Sequence, residues 1–414
     1  MKHNSLKTNK PSLTTSNTSD FLIAGAGIIG VTIALKLKER FPDAKIIIIE
    51  KEHEAGMHAS GRNSGVLHAG FYYTKDSLKA KFTKEGNAAL TSYCHERQLP
   101  INHCGKLVVA RNENDLTGLD ELLKRAQVND IILKPIDAYE AREIEPRVKT
   151  FERALFSPST STVNPKIVLD SLIKDAKDEG IELHVNTRYL KQQQPNHLTT
   201  NGNYSSKYFI NCAGLYADQI ARQFGFSKDY RILPFKGLYL YSKPGGISLN
   251  THIYPVPDLN KPFLGTHFTL TVDNQVKIGP TAIPAFWREH YTGFDNFNLG
   301  ESLDILRREA ALLLHSNFGF RELALEELKK YSRRYLIKQA RALVDGIENQ
   351  DFPEWGKPGI RAQLLNLKNN TLEMDFVVEG DDQSFHVLNA VSPAFSGSLP
   401  FAEYISGKIA TLIN

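Results

Sequence analysis

The chain has 414 residues, 41% hydrophobic and 23% charged, with 50 basic against 46 acidic side chains and a net charge of +4. That length suits two domains, each with its own core, and the near-balanced charge argues against a nucleic-acid binder while leaving room for a small anionic substrate. The three cysteines, Cys94, Cys104 and Cys212, stand at unrelated spacings, which excludes a disulfide framework and fits a cytoplasm-like compartment; no apolar run approaches the ~18 residues that span a bilayer, so membrane attachment is at most peripheral.

Residues 1–19 are rich in Ser, Thr, Asn and Lys and lack an apolar face, so a disordered tail is expected there. Phe21-Leu22-Ile23-Ala24 reads as a short buried parallel strand. It runs into Gly25, Gly27 and Gly30, a G-x-G-x-x-G turn opening a helix. The first glycine permits the tight turn, the second lets a pyrophosphate approach the backbone, and the third lets the helix pack on the strand. A second apolar run, Ile46–Ile49, ends in Glu50, placed to accept hydrogen bonds from a ribose diol and to repel a 2′-phosphate. Strand, turn, helix, strand and acid in register predict a bound dinucleotide, with its diphosphate at the helix N-terminus.

Glycines 56, 61, 65 and 70 then punctuate a polar stretch. Either backbone passes close to the rest of the cofactor there, or the stretch is a long surface loop. A helix is expected over 76–98 with Leu78, Phe82, Leu90 and Tyr93 inward, then a strand at GKLVVA and an amphipathic helix over 113–128. Asn164-Pro165 opens another helix and Gly180 closes it. The strand IELHVN follows, and Tyr208–Cys212 is a further buried strand ending in Ala213-Gly214. Residues 231–290 carry short alternating strands with Pro, Gly and Asn turns, which is antiparallel character. Residues 301–345 read as helical; the basic run 326–341 is either a solvated face or a contact for an anionic membrane. A strand and helix at 385–413 return to the first domain.

The expected fold class is therefore α/β, with an α+β second domain. A Rossmann-like cofactor domain made of 20–95, 155–230 and 355–414 is interleaved with an antiparallel-sheet substrate domain made of 96–154 and 231–354.

GAGIIG with IIIIEKE, ASGRNSGVLHAGFYYTKDSLKAKF, CGKLVVA, INCAGLYAD, RILPFKGLYL, IYPVPD, FLGTHFT, GIRAQ and NAVSPA are collinear from about residue 20 to 412. In these motifs the chain resembles the FAD-dependent L-2-hydroxyglutarate dehydrogenases (oxidases) of the D-amino-acid-oxidase/glycerol-3-phosphate-dehydrogenase superfamily. VSPAFSGSLP departs from that family's usual Pro-Ser-Pro-Ala-Ala-Thr type of loop. The resemblance implies FAD with its adenosine at Glu50 and Lys51 and its pyrophosphate over Gly25, Gly27, Ile28, Ile29 and Gly30. Ser60, Arg62, Asn63, Ser64 and Gly65 run toward the flavin, Val185 lies near adenine, and Ala213 and Gly214 cross the cofactor. It also implies a dicarboxylate substrate and an electron acceptor such as a quinone or oxygen.

Oxidising an α-hydroxy acid needs a base for the hydroxyl proton and cations for the carboxylates. Arg361 in GIRAQ is expected on the carboxylate beside the reacting carbon, Lys236 near the flavin, and Tyr254 and Tyr73 on the distal carboxylate. His267 is the preferred base and His68 the second candidate, since histidine titrates near neutral pH. No histidine–carboxylate set shows ligand spacing, so no metal is expected. The competing readings are a flavin-dependent oxidase of glycine- or sarcosine-like amines and a non-catalytic FAD-binding electron-transfer subunit.

Overall fold

A computed structural model describes residues 17–193, 196–258, 263–315 and 319–414. The tail expected over 1–19 lies outside these up to residue 16, and its last three residues are corrected: Asn17, Thr18 and Ser19 begin the first strand, Asn17–Ala24. They pair with Tyr204, Ser205 and Ser206, so a polar run is ordered by the ladder its neighbour offers, which local composition cannot reveal.

That first strand pairs in parallel with Gly202–Asn211 on one side and Ile46–Ile49 on the other. Glu182–His184 extends the parallel sheet beyond Ile46–Ile49, and Ser384–Asn389 extends it beyond Gly202–Asn211. Both faces are covered, which is why these strands read as unbroken apolar runs. Ile23, Ile48 and Ile210 meet the helices Ile28–Arg40, Pro165–Asp178 and Ser398–Ile413, while Leu22, Ile47, Ile49 and Phe209 meet Ile220 on the other side. Local signals set the helix ends as expected. Asn164 accepts from the N–H groups of Lys166 and Ile167 above Pro165, and Gly180 sits at φ +75° just past the last turn.

The other half carries an eight-stranded sheet, which includes Lys106–Val109, His252–Pro255, His267–Leu270 and Val276–Gly279, and a four-stranded sheet centred on Tyr230–Gly237 and Gly359–Asn366. Pairing is antiparallel apart from His252–Pro255 against Lys106–Val109. Two expected boundaries, 154/155 and 230/231, fall inside strands. Arg153–Ser157 crosses residue 155 and belongs wholly to the eight-stranded sheet. Tyr230–Gly237 begins one residue before the 230/231 boundary, and it pairs along eight residues with Gly359–Asn366, a strand expected in the cofactor half. Hydrophobic period locates a strand, but the sheet it joins is decided by partners far away in sequence.

The basic run 326–341 is not one charged face. The helix Phe320–Lys329 ends, Ser332 caps a new helix, Arg333–Ala340, and Lys330 is buried in an ion pair with Glu327. Leu336, Ile337 and Ala340 enter the core. Among the described residues no helix is long and apolar enough to cross a membrane.

Candidate active site

A cavity of about 500 Å³ runs from Glu50, past the glycine turn, to His267. The turn is built so that no side chain intrudes. A Cβ on Gly25, which sits at φ +109°, would lie 2.4 Å from the Cys212 carbonyl oxygen, and one on Gly30 would lie 2.0 Å from the Gly25 carbonyl oxygen. Gly27 adopts extended backbone and gives no side-chain cap to the helix it precedes. The cap comes instead from Ser60, whose Oγ accepts from the Ile28 N–H at 2.9 Å. Gly25, Gly27, Ile28 and Ile29 line the cavity, whereas Gly30 stands behind it holding helix against strand.

Glu50 lines the cavity at the end of its strand, and its carboxylate accepts from the Ala26 and Glu52 N–H groups at 3.0 Å each. Lys51 beside it is ion-paired with Glu52 and, at 2.7 Å, with Glu289. These acids and His58 come within 4.8 Å of one another, a trio with metal-ligand reach. Sequence spacing does not reveal this trio, because Glu289 arrives from a distant segment. Lys51 already supplies the trio's positive charge.

Arg62, Asn63 and Ser64 line the next stretch. Arg62 donates to the Met57 and Pro358 carbonyl oxygens and lies 4.3 Å over the Tyr291 ring. Asn63 closes its own turn, accepting from the Gly65 N–H. Gly65 is not in the wall; at φ +77° it lets Val163 approach, where a Cβ would lie 2.3 Å from the Val163 oxygen. Ala213 and Gly214 do line the cavity, but Val185 does not. Its strand ends at His184, and the chain reaches the wall only at Thr187–Leu190.

The far end holds His68, Tyr239, Tyr254, Leu264, His267 and Arg361. His267 Nδ1 is 2.7 Å from the Gly265 carbonyl oxygen, which can only accept, so Nδ1 carries the proton and Nε2 is left as an acceptor. Its ring stacks on Tyr254 at 3.7 Å and 18°. Burial pushes its pKa down to about 3, with Lys106 and Arg361 adding to the effect. His68 is likewise held well below its usual range by burial and Lys106. Arg361 lies 5.3 Å over the Phe263 ring and has no ion pair among the described residues.

Lys236 and Tyr73 are not brought to the wall. Lys236 is buried but pairs in the ladder with Ile360 rather than Arg361, so strand alternation sends it to the opposite face. Tyr73 packs under Lys79, 5.8 Å from its ring. Sequence reading missed Lys106 and Lys277. Lys106 is fully buried, and Lys277, 3% exposed, donates to the Ser64 carbonyl oxygen at 2.7 Å. Each was visible as a single charge in an otherwise apolar strand, KLVV and VKIG. The resemblance also implies that the loop beginning at Val391 lies beside the flavin, and Val391–Ser396 do line the cavity, with Val387, Leu388 and Ala390 before them; Ser396 Oγ accepts from the His68 N–H.

The cavity is thus bipolar. Glu50, Glu289 and Glu301 line the end that suits a ribose, and none of the described residues lining the His267 end carries a carboxylate. A side-chain-free glycine turn, a helix N-terminus and an acid on the next strand fit a dinucleotide. Residues 20–406 match the family model described as FAD dependent oxidoreductase, DAO. The chain is 33% identical over 409 residues to L-2-hydroxyglutarate dehydrogenase of Escherichia coli strain K12, covering 95% of this chain and 94% of that protein. It is 33% identical over 411 residues to the mitochondrial L-2-hydroxyglutarate dehydrogenase of Mus musculus, covering 92% and 86%. Its fold is similar to that of dithionite-reduced L-alpha-glycerophosphate oxidase from Mycoplasma pneumoniae with FAD bound, with a TM-score of 0.75 at 22% identity and coverage of 96% and 95%. Glycine oxidase from Geobacillus kaustophilus shares the fold at a TM-score of 0.69 and 18% identity, with coverage of 96% and 95%. Cradle, sheet order and near-full-length similarity agree: the chain belongs to the FAD-dependent oxidoreductase (DAO) family, within which it is similar to the L-2-hydroxyglutarate dehydrogenases.

Proposed function

We propose that this enzyme oxidises L-2-hydroxyglutarate to 2-oxoglutarate. The carrying observation is the carboxylate-free end of the cavity, where an imidazole with a free acceptor nitrogen stands close to Arg361 and Lys106. Such a site suits an anion, and a dianionic hydroxy acid brings carboxylates for the cations and a hydroxyl for the base. Similarity to L-2-hydroxyglutarate dehydrogenases over nearly the whole chain supports that choice among diacids.

Bound FAD supplies the hydride acceptor. Glu50 and Lys51 would hold its adenosine end, the turn Gly25–Gly30 would hold its diphosphate, and Arg62, Asn63, Ser64, Ala213 and Gly214, which line the same cavity, would contact the rest. Arg361 binds the carboxylate next to the reacting carbon. His267 takes the hydroxyl proton at Nε2, because the Gly265 carbonyl keeps Nδ1 protonated. The arriving dianion opposes the field of Arg361 and Lys106, which raises the proton affinity of His267 when a proton must be taken. Tyr254 orients His267 by stacking and offers its hydroxyl to the distal carboxylate. Electrons leave to a quinone or to oxygen. The free thiols of Cys94, Cys104 and Cys212 support a reducing, cytoplasm-like setting.

The test is an anaerobic substrate screen followed by flavin absorbance. L-2-hydroxyglutarate should bleach the flavin within a turnover, and glycine or sarcosine should not. Bleaching by amines alone would transfer the reading to an amine oxidase.

A further inference from the structure

The reaction as derived uses Lys106 only as a positive charge near His267, yet it is fully buried and no carboxylate pairs with it among the described residues. Its Nζ faces the rings of Phe71 at 5.2 Å, Tyr72 at 5.1 Å and Tyr254 at 4.5 Å. Among the described residues, the polar side-chain atom it reaches is His68 Nδ1, at 3.5 Å. A buried ammonium without a counter-ion is costly, and cation–π contacts offset only part of that cost. A lysine kept in such a place has use for a negative charge that arrives from outside.

We propose that Lys106 is the positioning residue that fixes His68 as a hydrogen-bond donor toward the cavity, and that it gains a proton when the dianionic ligand enters. The inference rests on the dicarboxylate reading above. A protonated Lys106 can only donate, so His68 Nδ1 must accept and Nε2 must carry the ring proton. His267 is the mirror case, with its Nδ1 proton fixed by Gly265 and Nε2 accepting. The two histidines in one wall thus differ in tautomer: His68 holds a carboxylate, and His267 is free to take the hydroxyl proton.

The groups around Lys106 fit this role. Cys104 lies on its own segment, and His68, Tyr72 and Tyr73 lie on the loop before the helix Leu78–Glu96. His252 and Tyr254 come from the neighbouring parallel strand, His267 from the next strand, and Arg361 and Lys277 from beyond. None is an acid at neutral pH. The carboxylate of Asp375, which acts on Tyr73, is held by the N–H groups of Leu78 and Lys79. Burial pushes Lys106 down to about 7 and holds His68, His252 and His267 lower still. Around pH 7 to 8, Lys106 is therefore the group ready to load.

The experiment is calorimetric titration of the FAD-loaded enzyme with glutarate, an unreactive diacid, in two buffers of different ionisation enthalpy. At pH 8 the wild type should take up close to one proton per glutarate. Uptake should fall toward zero by pH 6.5, and affinity should improve roughly tenfold over the same range as Lys106 becomes protonated in the free enzyme. Lys106→Met should abolish the uptake, flatten the pH dependence and weaken glutarate at least tenfold while the flavin spectrum stays unchanged. Lys106→Arg should restore affinity without proton uptake. Glutarate binding to wild type without uptake, or uptake surviving in Lys106→Met, overturns the assignment and leaves the dicarboxylate reading standing. Failure of wild type to bind glutarate at all overturns both. If Lys106→Met does not retain flavin, the wild-type proton count and pH profile decide alone.

Discussion

Replacing Arg361 by Met tests whether this residue is held for substrate or for the fold. In the protein, its guanidinium has a ring contact with Phe263 and no carboxylate partner among the described residues, so truncation strands no buried charge. Methionine keeps most of the aliphatic stem. Stability should therefore hold or rise slightly, since one cation leaves the neighbourhood of Lys106 and His267. Losing a charge-assisted bidentate contact to a partly desolvated carboxylate costs about 2–4 kcal/mol, which is roughly 30- to 900-fold in affinity. Arg361 also helps depress the pKa of His267, so its removal lifts that pKa and moves the acid limb of the rate profile to higher pH. Glutarate titration, thermal melting and a pH series of flavin reduction measure the three effects. A drop in melting temperature with unchanged glutarate affinity would refute the reasoning and make Arg361 a structural residue.

His267→Ala should slow anaerobic flavin reduction by about 100-fold or more, measured by stopped flow; fast reduction there, with slow reduction in His68→Ala, would exchange the two roles. Gly30→Ala places a Cβ 2.0 Å from the Gly25 carbonyl oxygen, and should destabilise by ~1–3 kcal/mol or more while loosening FAD, read by chemical denaturation and flavin fluorescence. Glu309 is 5% exposed, has an unpartnered Oε1 and a pKa pushed up to about 8 by burial. Its folded state holds the proton that the unfolded chain releases near pH 4.5, so the native protein loses stability as pH rises from about 4.5 to 8. Glu309→Leu should thus stabilise by ~1–3 kcal/mol at pH 8 and less at pH 5, as denaturant midpoints at the two values will show.

What the sequence disclosed and what it hid follow one physical division. The cradle from Phe21 to Glu50 was readable because its strand, glycine turn, helix and acid follow one another within thirty residues, although Ser60 and Cys212, which complete it, arrive from farther along the chain; the helix between Pro165 and Gly180 likewise carries its own end signals. Strand membership was not, because Gly359–Asn366 looks alike whether it pairs with Tyr230–Gly237 or joins the parallel sheet. The candidate site divides likewise. Arg361, His267, His68 and Tyr254 were found through motifs and do meet at one end of the cavity. Lys236 was misplaced because its face depends on ladder register, and Val185 because its strand stops one residue earlier. Lys106 was overlooked because a lone lysine in an apolar strand carries no motif, although its solitude was itself a signal.

The way the backbone weaves between sheets bears on how this molecule comes apart. Starting from Asn17–Ala24, the chain leaves the parallel sheet for Lys106–Val109, returns for Gly202–Asn211, departs again for the strands through Gly359–Asn366, and comes home at Ser384–Asn389. No single cleavage point separates one half from the other, so neither is available as an excised fragment. Heating should accordingly melt both in one calorimetric endotherm, and a protease nick in any connecting segment should leave two pieces that stay together until that endotherm is reached.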